Sequence, residues 1–296
     1  MNFNILRRYL LYLFVVTLKS AVEILPWKAA VSSGTFFGFL GYYLAPSEYR
    51  RRAQKNLRNA FPGKTENEIR SLTKRVFENQ GRNLFEVFLF PRINKSNIDE
   101  KVELKGKENF EKARAEGKGV FFLASHFGNW ELLGAALALN GIPLNVIARE
   151  VFIEGLDKII NELRESKGMK IIKRGGQDSP RAILRALKRN EAIALIIDQN
   201  TNYTPGVFVN FFNRRAYTPS GLASLALRTG APVLPITITR QGYFSRAEIG
   251  EPIELKHSGN IEADVRANTQ LFTDIIESYV REYPEQWVWF HNRWEN

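Results

Sequence analysis

Along the second half of this chain, short apolar runs recur between segments of helical period. Residues 120–125, 144–149, 169–173, 192–198 and 233–239 predict strands, and 129–140, 153–167, 179–189 and 261–283 predict helices. Residues 244–255 predict one or two further strands. Thr218-Pro219 predicts a helix start with proline in its favoured first position, and Gly230 its end. Ahead of this region, Thr65-Glu66-Asn67-Glu68 has the form of a capping box and predicts a helix to about Phe90, where Pro91 stops it. Strands alternating with helices predict an α/β fold, with a mostly parallel central sheet flanked by helices. No internal repeat or low-complexity segment interrupts it.

The N-terminal pattern differs. Residues 9–18 are free of charge, and residues 29–45 form seventeen uncharged positions rich in Phe and Tyr. As a helix the second stretch is about 25 Å long, slightly short of a bilayer core of roughly 30 Å. Gly34 and Gly38 form a small-xxx-small pair suited to close helix packing. A cleaved signal peptide is disfavoured, because no A-x-A site follows the first stretch cleanly. A spanning helix or hairpin and a pair of interfacial helices both stay open, and in each the chain is membrane-bound. The pattern divides the chain into a membrane-anchoring helical segment, 1–45, and a body, 46–296.

Composition sharpens this picture. Hydrophobic content of 44% and charged content of 25% belong to an ordinary folded protein. The net charge is +11, and residues 1–60 hold nine bases against two acids, which is +7 of it. Because these charges flank the most apolar segment, an anionic membrane surface suits them better than nucleic acid, at about 1 kcal/mol per basic residue. The basic run after Ala45 places the body on the cytoplasmic side of the membrane. The chain has no cysteine, so no disulfide, Cys-ligated metal or enzyme-bound thioester enters its chemistry.

The chain has only three histidines, His126, His257 and His291. His126 ends the first predicted strand of the series, where open α/β sheets tend to place their sites. Glu131 follows five residues later, in the first turn of the next helix, close enough to hydrogen-bond one ring nitrogen and leave the other as a general base. A core histidine paired with a helix-capping glutamate fits the same residues. No second histidine lies at metal-ligand spacing, so no metal is expected.

Longer runs surround this pair: "NLRNAFP" at 56–62, "HFGNWE" at 126–131, "IDQN" at 197–200, "GVFVNFFNRRAYTPSGLASLALRTGAPVLP" at 206–235 and "PEQWVWFHNRW" at 284–294. Together they resemble the late acyltransferases of bacterial lipid A biosynthesis, the lauroyl and myristoyl transferases. These belong to the wider glycerolipid acyltransferase group marked by His-x-x-x-x-Asp/Glu. The resemblance runs from about residue 5 to the end. It implies direct acyl transfer: His126 deprotonates a glycolipid hydroxyl, Glu131 orients the imidazole, and the hydroxyl attacks a thioester of acyl carrier protein or coenzyme A. No cofactor is implied beyond that co-substrate. Glutamate replaces the aspartate common in glycerol-phosphate acyltransferases, and 206–213 lacks their Pro-Glu-Gly turn. Both departures point to a glycolipid acceptor, and the group also includes enzymes acting on mannosylated phosphoinositide.

The remaining candidates carry two readings each. Backbone amides at Gly128 and Asn129 suit an oxyanion. Arg149, at a strand end, is either a solvated arginine or a clamp for acceptor phosphate, and the resemblance favours the clamp. Asp198 is placed to position Arg149 or Arg174, or to cap a turn. Arg174 opens a Gly-Gly turn that suits either phosphate or a plain bend, and Arg214 and Arg215 suit either surface charge or a glycolipid phosphate. The aromatic residues around His291 read as packing, and His291 itself as structural. The expected activity is membrane-associated O-acyl transfer to a lipid A precursor. The alternatives are another glycolipid or lysophospholipid acceptor, or a non-catalytic lipid-binding protein of the same fold.

Overall fold

The computed structural model describes residues 3–294 apart from 152, 177 and 201–203. Four helices come first: α1 (Phe3–Glu23), α2 (Trp27–Leu44), α3 (Ser47–Ala60) and α4 (Glu66–Phe88). The capping box forms as the sequence requires. Thr65 Oγ1 accepts the Glu68 N–H, and the Glu68 carboxylate accepts the Thr65 N–H at 2.8 Å.

The body continues with β1 (Val102–Lys105), α5 (Lys107–Arg114), β2 (Val120–Ala124), α6 (Trp130–Leu139), β3 (Leu144–Ala148) and α7 (Glu154–Glu165). Then follow β4 (Lys170–Lys173), α8 (Ser179–Lys188), β5 (Ala192–Ile196), β6 (Gly206–Phe211) and β7 (Arg214–Pro219). The chain closes with α9 (Gly221–Thr229), β8 (Val233–Gln241), β9 (Phe244–Ile249) and α10 (Ile261–Glu282). Seven strands form one sheet in the order β1-β9-β8-β2-β5-β3-β4, in which only β8 and β9 pair antiparallel. The expected mostly parallel α/β sheet is therefore present.

Two cores sandwich this sheet, and β2 shows why. Phe121 and Leu123 join the core beneath α3, α8, α9 and α10, while Val120, Phe122 and Ala124 join the core with α5 and α6. Side chains alternate across a strand, so a strand buried on both faces must be apolar throughout. One expectation fails here. Thr218 and Pro219 do not start a helix; they complete β7, paired with Val207 and Gly206 of β6, and α9 begins afterwards at Gly221. Cross-strand pairing overrides the local proline signal.

α2 packs along α4 through glycines. A Cβ on Gly81 would lie 2.1 Å from the Gly34 carbonyl oxygen, and one on Gly38 would lie 2.3 Å from the Phe77 carbonyl oxygen. The small-xxx-small pair thus serves a contact inside the protein. Among the described residues no helix is long and apolar enough to cross a membrane, so the spanning reading of the N-terminal segment finds no such helix. Leu10, Phe14, Phe36, Tyr43 and Leu44 are nonetheless each more than half exposed.

Candidate active site

The site grows out of strand register. β2 and β5 run parallel with Ala124 beside Ile196. Two residues further along each strand, the chain sets His126 beside Asp198 at the C-terminal edge of the sheet. His126 Nδ1 lies 2.8 Å from Asp198 Oδ1, and the His126 backbone N–H donates to Asp198 Oδ2 at 2.8 Å. Trp287 Nε1–H donates to the same Oδ2 at 2.7 Å. Asp198 is buried, at 2% exposure. Burial works to raise its pKa. The charge of His126 and the hydrogen bonds from its ring, from Trp287 and from the His126 amide outweigh burial and hold it below the ordinary aspartate value.

This corrects two expectations. Asp198 neither positions an arginine nor merely caps a turn, because its partners are His126 and Trp287. Glu131 does not touch the imidazole. Its carboxylate is gripped by Arg164 of α7, with Nε at 2.8 Å and Nη2 at 2.5 Å. Helix geometry explains the difference. Consecutive residues of a helix point about 100° apart. Trp130 opens α6 and takes the side facing His126, its ring 5.1 Å from the imidazole. Glu131 is turned toward α7. Burial disfavours the Arg164 charge, yet the hydrogen bonds and charge of Glu131 outweigh it and hold the guanidinium above its ordinary value.

The loop between His126 and α6 is turned inward. Gly128 has φ +58°, and a Cβ there would lie 2.0 Å from the Ile238 carbonyl oxygen, so only glycine fits. Its N–H donates to the Gln286 carbonyl at 2.9 Å, so this amide is spent inside the protein and not offered to an oxyanion. The Asn129 side chain caps α6 by accepting the Leu132 N–H, and its amide donates to Glu86 Oε2 at 2.7 Å. Both are side-chain contacts inside the protein, whereas the expected oxyanion donor at this residue is its backbone N–H.

Around the ring, the Gln199 amide nitrogen lies 3.0 Å from Nδ1 and 3.1 Å from Nε2, bordering the open edge of the imidazole. The His291 ring is 5.9 Å away. Its pKa is lowered to about 4, by burial first and then by repulsion from His126. His291 therefore stays neutral beside the dyad. Among the described residues no group of three or more acidic or histidine side chains converges to hold a metal.

Arg149 follows β3, and the Arg174 N–H donates to the Ala148 carbonyl at 2.8 Å, so both stand on the sheet edge that carries His126. Arg174 also hydrogen-bonds Thr204. Its pKa is lowered by partial burial and by the neighbouring Arg149 charge. Arg214 and Arg215 lie apart on β7, where the Arg215 guanidinium stacks 3.7 Å over the Phe208 ring. The C-terminal aromatics are core: Trp287 and Trp289 are buried with ring centroids 4.6 Å apart. Sequence reasoning had no signal for Arg164 or the Glu86 contact, and Gln199 entered only as part of the IDQN run at 197–200. The Asp198 pairing was recoverable, had the ends of two neighbouring parallel strands been set side by side.

Comparison with known proteins supplies the family. The chain is 26% identical over 257 residues to the lipid A biosynthesis acyltransferase of Haemophilus influenzae, covering 85% of this chain and 78% of that protein. It is 25% identical over 274 residues to the lipid A biosynthesis palmitoleoyltransferase of Escherichia coli, covering 92% and 86%. It is also 26% identical over 211 residues to the phosphatidylinositol mannoside acyltransferase of Mycolicibacterium smegmatis, covering 71% and 67%. The family model for bacterial lipid A biosynthesis acyltransferases matches residues 1–296. Matched over its whole given length, this protein is a member of the bacterial lipid A biosynthesis acyltransferase family.

Proposed function

We propose that this protein transfers a long acyl chain from a thioester, with acyl carrier protein as donor, to a hydroxyl of a lipid A precursor at the inner face of the cytoplasmic membrane. The observation that carries the reading is the 2.8 Å contact between Asp198 and His126 Nδ1. It makes Nδ1–H the donor and leaves Nε2 as the base. The acceptor hydroxyl takes the place of Gln199 at Nε2 and gives up its proton as its oxygen attacks the thioester carbonyl. The tetrahedral intermediate collapses with cleavage of the carbon–sulfur bond. The imidazolium returns the proton to the leaving thiolate, yielding an ester and a free thiol. Asp198 keeps the ring aligned and offsets the transient charge.

Glu131 acts at one remove. By tying α6 to α7 through Arg164 it steadies the helix that follows the catalytic loop. Arg149 and Arg174, side by side on the His126 edge, suit an acceptor phosphate. Exposed apolar residues on α1 and α2, with the basic charge of the first sixty residues, suit an interfacial membrane contact. A second acceptor reading, a mannosylated phosphoinositide, draws on the Mycolicibacterium smegmatis relative.

Purified protein assayed with acyl carrier protein and coenzyme A thioesters against both acceptors tests the reading. Transfer to the lipid A precursor from acyl carrier protein, lost in His126→Ala while vesicle binding persists, is expected. Undiminished transfer by His126→Ala would sink the mechanism.

A further inference from the structure

Behind the catalytic loop lies a polar cluster that the acyl transfer chemistry does not use. α4 carries Asn79, Asn83 and Glu86 at helical spacing on its buried face, all 6% exposed or less. Arg240 of β8 reaches them from the sheet. Its Nε donates to Asn79 Oδ1 at 3.0 Å, its Nη2 to Asn83 Oδ1 and Glu86 Oε2 at 2.7 Å each, and its Nη1 to Glu86 Oε1. Burying such an ion pair costs several kcal/mol per charge, and apolar packing of the same volume serves stability as well or better. Stability alone gives little reason for it.

The other side of the cluster is the loop. Asn83 Nδ2 donates to the Gly128 carbonyl at 2.7 Å, and Asn129 Nδ2 donates to Glu86 Oε2 at 2.7 Å and to the Asn83 carbonyl at 3.2 Å. The Arg240 N–H donates to Gln286 Oε1 at 2.8 Å, and the Gln286 carbonyl accepts the Gly128 N–H at 2.9 Å. Every polar atom of Gly128 and the whole Asn129 amide group is thereby fixed, two and three residues beyond His126. Without such contacts a glycine at positive φ leaves the loop free to rotate.

We propose that Glu86, Asn83 and Arg240 are positioning residues, which hold the 126–129 loop so that His126 Nε2 meets the acceptor hydroxyl. The inference rests on His126 being the base. Displacement of a reacting group by about 1 Å costs on the order of a hundredfold in rate.

The test uses the full-length chain with Glu86→Gln and Asn83→Ala, beside His126→Ala as reference. Thermal melts, kcat, acceptor KM and ring spectra of nitrogen-15-labelled histidine are measured. With three histidines in the chain, His126→Ala assigns its own signal. In folded variants assayed well below their melting temperature, we expect kcat to fall by about tenfold or more. KM should stay within about twofold, and the His126 ring signal should shift while His257 does not. Wild-type kcat and an unmoved His126 signal would overturn the proposal, as would failure of both variants to fold, which assigns the cluster to folding alone. Activity persisting in His126→Ala would instead overturn the mechanism on which it rests.

Discussion

Asp198 holds His126 at two points, ring and backbone, each at 2.8 Å, and does so from a fully enclosed position at the end of the neighbouring strand. A ring bonded at Nδ1 to a carboxylate that also grips its own backbone has one orientation and one tautomer. Asp198→Asn presents an amide that can hold the wrong tautomer, as in other histidine–aspartate pairs. We expect kcat to fall by about a hundredfold or more with the fold intact, measured by steady-state transfer beside a thermal melt. Unchanged kcat would remove Asp198 from the mechanism.

Glu131 and Arg164 form a bidentate pair whose side chains are 13% and 16% exposed. Removing either partner leaves the other charge partly buried and unpaired. Glu131→Ala and Arg164→Ala should each lower stability by about 2 kcal/mol, and the double variant should cost less than their sum. A urea-denaturation double-mutant cycle measures this. Strict additivity would show that the pair does not couple α6 to α7.

His291 gives the protein a defined acid sensitivity. Its folded pKa of about 4 lies below its ordinary value of 6.5, so the unfolded chain binds more protons between those values. Its contribution is therefore complete above pH 6.5 and is lost as pH falls toward 4. Stability should drop by about 2 kcal/mol more between pH 7 and pH 5 in the wild type than in His291→Gln. Parallel denaturation series on the two proteins isolate the effect. Identical slopes would show that His291 is not held neutral.

Leu10, Phe14, Phe36 and Leu44 present apolar surface that no part of the described chain covers. Replacing Phe14, Phe36 and Leu44 by serine should weaken binding to anionic vesicles by about tenfold or more without lowering the melting temperature. Vesicle co-sedimentation reads this directly. Unaltered binding would leave only the basic charge as a means of attachment.

The elements around the site were legible because each carries a local signature. The apolar run of β2, the Thr65 capping box and the period of α10 needed no tertiary contact to be read. β1, α5 and the β6–β7 hairpin were not read, being short and dependent on their partners. The location of the site followed from His126 at a strand end, but its wiring did not. Glu131 is nearest in sequence, yet one helical residue's rotation carries it to Arg164.

By itself, the sequence determined the alternating α/β order, the position of the imidazole at the sheet edge, the exclusion of a cysteine nucleophile and the family likeness. Only the tertiary structure decided which acid meets His126. It brought β5 beside β2 in register, so that a residue seventy-two positions away became the partner and one five positions away did not. The physical reason is that a strand's neighbours are chosen by sheet topology, and a helix's rotation sends successive side chains to different partners.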